Sequence, residues 1–403
     1  MACQTLRLLK GWAGKGSEFM RTFLASLVAV VSLGAVVMPT AVSAQTNDPV
    51  RIGLEAPLTG DQKSIGIGML DGAKLAASQM NARGGLLGRK VEIVPIDDAA
   101  DPATGKTAAT AAIADGLDGV VGPYNSGVGA ETLPLYLAAG VVPIRLTSAD
   151  ATAGLGFTLQ PMTSQIAPAA ADALTKWAQA KSVAIIYDQS ALYTQSVSSQ
   201  LQTLLQQGGV QVTAFQPIDP GAKSYDDVVK SVAAGNPDVI YAATYYPEGG
   251  LIAKAMYDQK VSSKCVADYG SYDSAFVTTA GKAAAKNCPV VGVPAPNDFV
   301  DSAPYVAAYR KQFGKAPGTW SPYAYDSLNF FAYGVRRTGG FDAAALTKEL
   351  GTVNGWSGWT GYVTVEPSTG NRQPATVVVT VTDAKGQLHV DPSWAKAVGA
   401  DTQ

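Results

Sequence analysis

The chain has 403 residues, of which 47% are hydrophobic and 15% are charged, and its formal net charge is −2. This length and apolar content predict one large domain or two ordinary domains with sizeable cores. The mildly acidic charge balance, without clusters of Lys and Arg, argues against nucleic acid as a partner.

The N-terminal segment is predicted to be removed from the mature protein. Residues 20–44 combine Arg21, an apolar run over 23–38 and small residues at 42–44, which is typical of a cleavable signal peptide. A membrane anchor is the weaker alternative, because the apolar run is short. Residues 1–19 are interpreted as a non-native or mis-assigned extension. Without this leader, which holds four basic residues and one acidic residue, the net charge changes from −2 to −5.

The remaining chain shows two similar halves in which strand-like and helix-like segments alternate. The strand-like runs of the first half lie at 50–58, 90–98, 119–123 and 141–147, and those of the second half at 182–188, 210–218, 237–245 and 265–270. Helices of the second half are predicted at 165–180, 195–208, 224–235, 249–260 and 273–285. This alternation indicates βαβ units, and therefore an α/β fold with two doubly wound lobes.

The pattern changes after residue 288. Helices are predicted near 303–314, 321–338 and 342–352, followed by a β-hairpin whose turn is Asp383-Ala384-Lys385-Gly386. Periodicity alone does not assign these elements to either lobe.

Two cysteines, Cys265 and Cys288, remain once the leader with Cys3 is removed. In an oxidising compartment they most simply form one disulfide, and two buried free thiols are the alternative. Together with the lone His389 they cannot build an ordinary zinc site, so no metal and no cofactor is predicted.

Three motifs suggest chemistry but have simpler explanations. Residues 99–107 nearly match a phosphate-binding loop, but Ala100 replaces the leading glycine and nearby aspartates would repel phosphate. The stretch around Ser126 is not G-x-S-x-G, and the chain offers it no neighbouring histidine as a base. The pair Asp97 and Asp98 is explained by turn formation and capping. We therefore expect a protein that is not an enzyme.

Tyrosines recur just past the predicted strands of the second half. The tyrosines at these positions are Tyr193, the pair at 245–246, Tyr269 and Tyr272. Because ligands of open α/β sheets bind beyond the carboxyl ends of strands, this placement favours a pocket lined by tyrosines over scattered surface residues.

Residues 52–102 carry a family resemblance. They pair Pro-Leu-Thr-Gly with Gly-Ala-x-Leu-Ala, then Asn-Ala-x-Gly-Gly and Asp-Asp-x-x-Asp-Pro. In this respect the chain resembles the leucine/isoleucine/valine-binding periplasmic receptors of ABC transporters. The resemblance continues through the motifs VVGPYNSG, TYYPEGG and WSPYAYDSLNFFAYGVRRTG and covers essentially the whole mature chain.

The resemblance implies a type I periplasmic binding fold, in which two αβα lobes joined by three crossovers close over a ligand. The implied crossovers lie near 160–163, 293–296 and 359–361. Lobe one would then comprise 45–161 plus 296–359, and lobe two 162–295 plus 360–403. The paired cysteines would tie the fourth strand of lobe two to the segment that leads out of that lobe.

The resemblance also implies where a ligand binds. A carboxylate would meet the Ser126 hydroxyl and the backbone N–H groups of Asn125, Ser126 and Gly127, with Thr147 or Ser148 from the next loop. Lobe two would contribute Tyr193 and Tyr245. The family has an acidic residue for the ligand ammonium where this chain has Tyr269, so either the preceding Asp268 takes that role or the ligand has no ammonium group.

The expected function follows from this resemblance. The protein is predicted to be a periplasmic, monomeric receptor that binds a small amino acid, branched-chain or otherwise apolar, in the cleft between its lobes and delivers it to a membrane-embedded ABC permease. Two alternatives stay open: the same fold binding another small carboxylate or amide, such as an aromatic acid, and a secreted enzyme with a nucleophile that needs no histidine.

Overall fold

The computed structural model describes residues 48–399, so the predicted extension and signal peptide lie outside the described residues. The strands in chain order are β1 (Val50–Ala56), β2 (Val91–Asp97), β3 (Gly119–Val121), β4 (Pro143–Arg145), β5 (Phe157–Thr158), β6 (Ser182–Asp188), β7 (Gln211–Ile218), β8 (Val239–Ala243), β9 (Lys264–Ala267), β10 (Val290–Gly292), β11 (Trp356–Gly358), β12 (Gly361–Glu366), β13 (Asn371–Gln373), β14 (Val378–Thr382) and β15 (Leu388–Val390). Each strand predicted in the two halves is confirmed by one of these.

The helices follow the same alternation. They are α1 (Lys63–Ala82), α2 (Pro102–Ala114), α3 (Ser126–Ala138), α4 (Thr163–Asp172), α5 (Leu192–Gln207), α6 (Asp226–Ala233), α7 (Tyr246–Asp258), α8 (Ser274–Ala280), α9 (Lys282–Lys286), α10 (Ala303–Phe313), α11 (Ser321–Thr338), α12 (Ala343–Gly351) and α13 (Trp394–Ala397). Among the helices over 48–399, none is long and apolar enough to cross a membrane.

The strands form two separate sheets, which define two lobes. Lobe one is built on the order β11-β12-β13-β5-β4-β3-β1-β2, and lobe two on the order β15-β14-β10-β9-β8-β6-β7. In the first sheet the neighbours β5-β4-β3-β1-β2 all pair in parallel, and in the second sheet so do the neighbours β10-β9-β8-β6-β7. The expected pair of doubly wound lobes is therefore confirmed.

Each sheet reverses its winding direction at one place. In lobe one this switch point lies between β1 and β3, and in lobe two it lies between β6 and β8. Connections on the two sides of a switch point leave the sheet in opposite directions and open a crevice beyond the strand ends. Side chains that follow β3, β6 and β8 are therefore positioned to meet a ligand.

The interior strands are buried because helices cover both faces of a parallel sheet. In β6, Val183 to Ile186 are fully buried, and the whole of β8 is inaccessible to solvent. These continuous apolar runs predict interior parallel strands rather than half-exposed ones, as observed.

The helix predicted over 273–285 is instead two helices, α8 and α9. They are separated by Gly281, whose φ is +80° and whose ψ is 146°. A backbone with positive φ cannot continue a right-handed helix, and glycine adopts it without a steric penalty.

The predicted return of the chain to lobe two at residue 360 is too early. Residues 361–366 and 371–373 form β12 and β13, and Asn371 pairs with Thr158 of β5 in the sheet of lobe one. Val363 and Val365 alternate into the core beside α12, which holds this segment on lobe one. The chain enters the sheet of lobe two only at β14.

Cys265 and Cys288 form a disulfide with a Cα–Cα distance of 4.6 Å. It joins β9 to the residue two places before β10, and these two strands are parallel neighbours. The bond confirms the simpler of the two expectations for these cysteines and excludes two free thiols.

Candidate functional site

A small cavity lies where the strand ends of the two lobes face each other. Each residue of its lining is at most 5% exposed. The lining consists of Tyr124, Ser126, Leu146 and Ser148 from lobe one, and Tyr193, Tyr245 and Tyr269 from lobe two. Its volume is about 10 Å³, which is room for roughly one water molecule. A larger ligand therefore requires the lobes to separate or side chains to rotate.

Ser126 is the first residue of α3 and joins two loops of lobe one. Its Oγ accepts the backbone N–H of Ala149 at 3.0 Å and that of Ser148 at 3.3 Å. Because both contacts use oxygen lone pairs, the hydroxyl hydrogen is left free to be donated to another acceptor. The first turn of α3 adds backbone N–H groups that have no partner inside the helix.

Ser148 and Tyr269 meet on one amide of the first crossover, the segment 159–162 that leads from β5 to α4. The Oε1 atom of Gln160 accepts the Tyr269 hydroxyl at 3.2 Å and the Ser148 hydroxyl at 3.3 Å. Gln160 is fully buried, and its Nε2 has no hydrogen-bond partner among the described residues. The crossover thus connects cavity residues of both lobes.

Aromatic rings form most of the cavity wall. The ring centroid of Tyr245 lies 6.2 Å from that of Tyr124 and 6.1 Å from that of Tyr193, which lies 6.2 Å from Tyr269. Trp320 is fully buried behind this wall, 5.4 Å from Tyr124 and 5.2 Å from Tyr269. Such tilted pairs are favourable ring geometries.

The four phenols of the cavity are uncharged hydrogen-bonding groups. Burial raises the pKa of Tyr124, Tyr193, Tyr245 and Tyr269 above the ordinary value of a phenol. They therefore keep their protons at neutral pH.

Asp268 lies behind the cavity wall and does not line the cavity. It is fully buried, and its carboxylate accepts the hydroxyls of Tyr241 at 2.5 Å and Tyr193 at 2.8 Å, and the N–H of Gly270 at 3.1 Å. Burial raises the pKa of Asp268, and the hydrogen bonds from Tyr241 and Tyr193 oppose that effect. Its oxygens are thus used to fix Tyr193.

Thr147 also points away from the cavity. Its Oγ1 lies 2.7 Å from that of Thr152 and 3.2 Å from a guanidinium nitrogen of Arg145. Of the two candidates in this loop, Ser148 is the one whose side chain reaches the cavity. The residues expected from the resemblance are therefore divided between the lining and its support.

Asn125 and Gly127 face a second groove, which shares only Tyr245 with the cavity. The charged residues that line this groove are all acidic: Asp61, Asp101, Asp188 and Glu248. Asn125 donates from Nδ2 to Gln62 at 2.9 Å, and its buried Oδ1 has no partner among the described residues. This acidic groove, defined by these four carboxylates, favours cations over anions.

Two polar contacts bridge the lobes beside the site. Ser64 of α1 donates its hydroxyl to Asp273 of lobe two at 2.9 Å. The hydroxyl of Tyr246 in α7 donates to the backbone oxygen of Asp61 in lobe one. These bonds join residues of different lobes, so they exist only while the lobes are together.

Several residues of the site were not predicted. Tyr124 and Leu146 line the cavity, and Trp320 and Gln160 support it. Tyr124 directly precedes Asn125 in the motif that suggested the site, and strand alternation past β4 could have identified Leu146. Gln160 could not be recognised, because its role depends on contacts between segments that are distant in sequence.

The comparisons with known proteins agree on the family. The model of the family described as "Periplasmic binding protein" matches residues 49–387 of this chain. The chain is 28% identical over 314 residues to the Leu/Ile/Val-binding protein homolog 2 of Brucella abortus, a match that covers 75% of this chain and 83% of that protein.

Solved structures share the fold. A leucine-binding protein from Thermotoga maritima superposes with a TM-score of 0.78 at 21% identity, over 85% of this chain and 97% of that chain. The solute-binding protein of an ABC transporter from R. palustris, in complex with benzoate, superposes with a TM-score of 0.76 at 18% identity, over 86% and 96%. The chain therefore belongs to the periplasmic binding protein family.

Proposed function

We propose that this protein is the periplasmic solute receptor of an ABC importer, and that its ligand is a small apolar or aromatic carboxylate or amide without an ammonium group. One observation carries the proposal: the cavity between the lobes is lined by four tyrosines, two serines and a leucine, and by no carboxylate. Ser126 donates to the ligand oxygen, and the rings enclose its body.

The state of Asp268 supports a ligand that lacks an ammonium group. Its carboxylate accepts hydrogen bonds from Tyr193, Tyr241 and Gly270 of the protein, and Tyr193 is itself a residue of the cavity wall. A buried ammonium needs a charged partner or it pays a large desolvation penalty. The benzoate complex of the R. palustris protein indicates that this fold accommodates such an acid.

Receptor function rests on the movement of the two lobes. A ligand that contacts both lobes in the closed form, but only one in the open form, shifts the population towards closure. The closed form then presents a surface that a permease can distinguish from the open one. Export through the predicted signal peptide places the receptor in the periplasm.

Calorimetric titration of refolded, ligand-free protein tests the ligand class. We expect heat with benzoate or 4-hydroxybenzoate and none with leucine, isoleucine or valine. Mass spectrometry of material extracted from the purified protein provides an independent identification. Binding of leucine without binding of either benzoate would contradict the proposal.

A branched-chain amino acid is the second candidate. It is favoured by the acidic groove beside Asn125, whose carboxylates attract an ammonium group, and by the name of the Brucella relative. In this case the ammonium faces Asp188 or Glu248, which are both buried, or displaces a tyrosine from Asp268.

The variant Asp268→Asn separates the two candidates. If Asp268 only fixes Tyr193, the affinities for benzoate and for leucine fall by similar factors. A selective loss of leucine binding would identify Asp268 as an ammonium partner. Asp98→Asn is the matched control, because Asp98 is equally buried, lies outside the cavity lining and accepts its hydrogen bond from Ala100 of the same lobe.

An enzymatic role is tested with the same material. The Ser126 oxygen accepts two backbone N–H groups and contacts no basic side chain among the described residues. We therefore expect mass spectrometry to recover the added ligand unchanged after prolonged incubation. Conversion of the ligand, abolished by Ser126→Ala, would replace the receptor proposal with a hydrolytic one.

A further inference from the structure

Arg145, the last residue of β4, is fully buried beside the loop 147–152, which carries Ser148 of the cavity lining. Its Nη1 lies 3.3 Å from the Thr147 carbonyl oxygen, 3.2 Å from Thr147 Oγ1 and 3.3 Å from Thr152 Oγ1. The same nitrogen lies 3.4 Å from Met162 Sδ, and Nη2 donates to Asn371 Oδ1 at 2.5 Å. Every one of these acceptors is uncharged.

This guanidinium has no carboxylate of residues 48–399 within hydrogen-bonding distance. Asp150 acts on it only electrostatically, and its oxygens accept hydrogen bonds from Ser164 and Gln200. Burial lowers the pKa of Arg145 to about 9, so the side chain remains a cation at neutral pH. A buried cation without a bonded counter-ion is costly, and an anion bound nearby would offset part of that cost.

The contacts of Arg145 lead directly to the residues that cradle the ligand. Thr147 precedes Ser148, and the N–H groups of Ser148 and Ala149 hold the Ser126 oxygen. Thr152 donates to the Ala149 carbonyl at 2.8 Å, which fixes the far side of the same loop. Arg145 thus holds both ends of the loop 147–152.

The loop 147–152 packs closely against α3. A Cβ atom added at Gly129 would lie 2.6 Å from the methyl group of Thr147. Only glycine allows the helix that begins at Ser126 to approach the loop so closely. A shift of Thr147 would therefore displace Ser126 as well.

Arg145 also contacts one segment that connects the lobes and one strand that leads towards another. Met162 belongs to the first crossover, and Asn371 begins β13, the last strand of lobe one before the chain returns to lobe two. Thr163, at the start of α4, donates its backbone N–H to the Ser148 carbonyl at 2.7 Å. One buried cation therefore joins the cradle to the first crossover and to the last strand before the chain returns to lobe two.

We propose that Arg145 is the residue that selects an anionic ligand: it supplies positive potential beneath the Ser126 cradle and positions the loop 147–152. This inference rests on the proposed function and makes it narrower, because it favours the carboxylate over the amide. Arg145 acts through Thr147 and the loop, without touching the ligand.

Matched acid and amide ligands test the inference. We expect wild-type protein to bind benzoate about tenfold or more tightly than benzamide. Arg145→Gln retains a polar side chain without the charge, and should remove most of this preference by weakening benzoate binding. Arg145→Lys restores the charge and should restore part of the preference.

Arg372→Gln is the control for a purely structural effect. Arg372 is also buried, contacts Leu159 and Thr360 near the connections between the lobes, and makes no contact with the cradle loop. Its replacement should change the benzoate and benzamide affinities by equal factors. Equal factors for Arg145→Gln as well would reduce Arg145 to a structural residue and overturn the inference.

Two outcomes separate this inference from the proposed function. Equal affinity of wild-type protein for benzoate and benzamide refutes the role of Arg145 even if its variants do not fold. If benzoate fails to bind but leucine binds, the proposal of an aromatic ligand is wrong. The ratio of the affinities for leucine and leucinamide then tests Arg145 in the same way. Failure of all four ligands would refute both proposals.

Discussion

Ser126 shows how one hydroxyl is prepared for a ligand before the ligand arrives. Its oxygen accepts two backbone N–H groups, and its hydrogen has no acceptor in the part of the chain that the structure describes. A hydroxyl that could rotate freely would lose entropy when it binds, whereas this one is already oriented. The loop 147–152 and helix α3 therefore act together as one rigid cradle.

Replacement of this hydroxyl should weaken binding without unfolding the protein. Ser126→Ala loses a charge-assisted hydrogen bond, which corresponds to about 1–3 kcal/mol of binding free energy and roughly 5- to 150-fold in Kd. Calorimetry with benzoate measures the change. Ser199→Ala, at an exposed position of α5, should leave Kd unchanged. A wild-type Kd for Ser126→Ala would remove Ser126 from the site.

At the scale of elements, a buried pair of acids lies at the ends of the neighbouring strands β1 and β2, with Glu55 in β1 and Asp98 directly after β2. Glu55 and Asp98 are both fully buried, and Glu55 Oε1 and Asp98 Oδ2 lack hydrogen-bond partners among the described residues. Burial raises the pKa of Asp98 to about 7, and burial followed by the charge of Asp98 raises that of Glu55. No cation lies in hydrogen-bonding contact with either acid over residues 48–399.

This pair predicts a stability that falls with increasing pH. Between about pH 4 and 7 the folded protein holds on Asp98 a proton that the unfolded chain has released, so stability contributed by the protonated form is lost as pH rises through this window. Asp98→Asn removes that dependence. In urea, the free energy of unfolding of this variant relative to that of the wild type should increase from pH 5 to pH 8, by at most about 1.4 kcal/mol per pH unit.

Asp97→Asn should behave in the opposite way. Burial raises the pKa of Asp97, but hydrogen bonds from Thr59, Ala99 and Leu58 outweigh it and lower the pKa overall. The stabilisation from Asp97 is therefore present at neutral pH and lost in acid. A difference between wild type and Asp98→Asn that does not vary with pH would contradict the assignment of Asp98.

The disulfide makes a prediction for the second sheet. Cys265 and Cys288 enclose a loop with a sequence separation of 23 residues. Closure of such a loop stabilises the fold by about 3 kcal/mol in the chain-entropy account. In urea, the double variant Cys265→Ala and Cys288→Ala should have a free energy of unfolding that is lower than that of the wild type by this amount. Reduction of the disulfide in the wild-type protein should lower the free energy of unfolding equally. Equal stability of the variant would show that the bond contributes nothing.

At the scale of the whole molecule, few polar contacts hold the lobes together beside the cavity. The hydrogen bond from Tyr246 to the Asp61 carbonyl and the bond between Ser64 and Asp273 are two of them. Because the ligand and these bonds favour the same closed arrangement, each contributes to the apparent affinity for the other.

Tyr246→Phe should therefore weaken ligand binding although Tyr246 does not line the cavity. The loss of one hydrogen bond corresponds to about 0.5–1.5 kcal/mol, or roughly 2- to 12-fold in Kd. Tyr257→Phe is the control, because Tyr257 lies on the same helix α7 and is 47% exposed. Equal Kd values for the two variants would show that the Tyr246 contact plays no part in closure.

Local patterns predicted much of the fold. The eight strands of the two halves and the helix Ser321–Thr338 lie where the sequence pattern predicted them. Interior parallel strands are recognisable as short apolar runs, and they alternate with segments of helical periodicity. The break at Gly281 and the late strands β12 and β13 were not predicted. The first depends on one backbone angle, and the second on pairing with β5, which is about 200 residues earlier in the chain.

The sequence by itself determined the two doubly wound lobes and the family, since both depend on local periodicity and motif spacing, and it favoured a disulfide between the two cysteines, which the structure confirmed. Only the tertiary structure decided that Ser126, Ser148, Tyr193, Tyr245 and Tyr269 share one cavity, while Thr147 and Asp268 support it from behind. Which way a side chain points at the end of a strand depends on partners such as Arg145 and Tyr241, which packing brings together from distant parts of the chain.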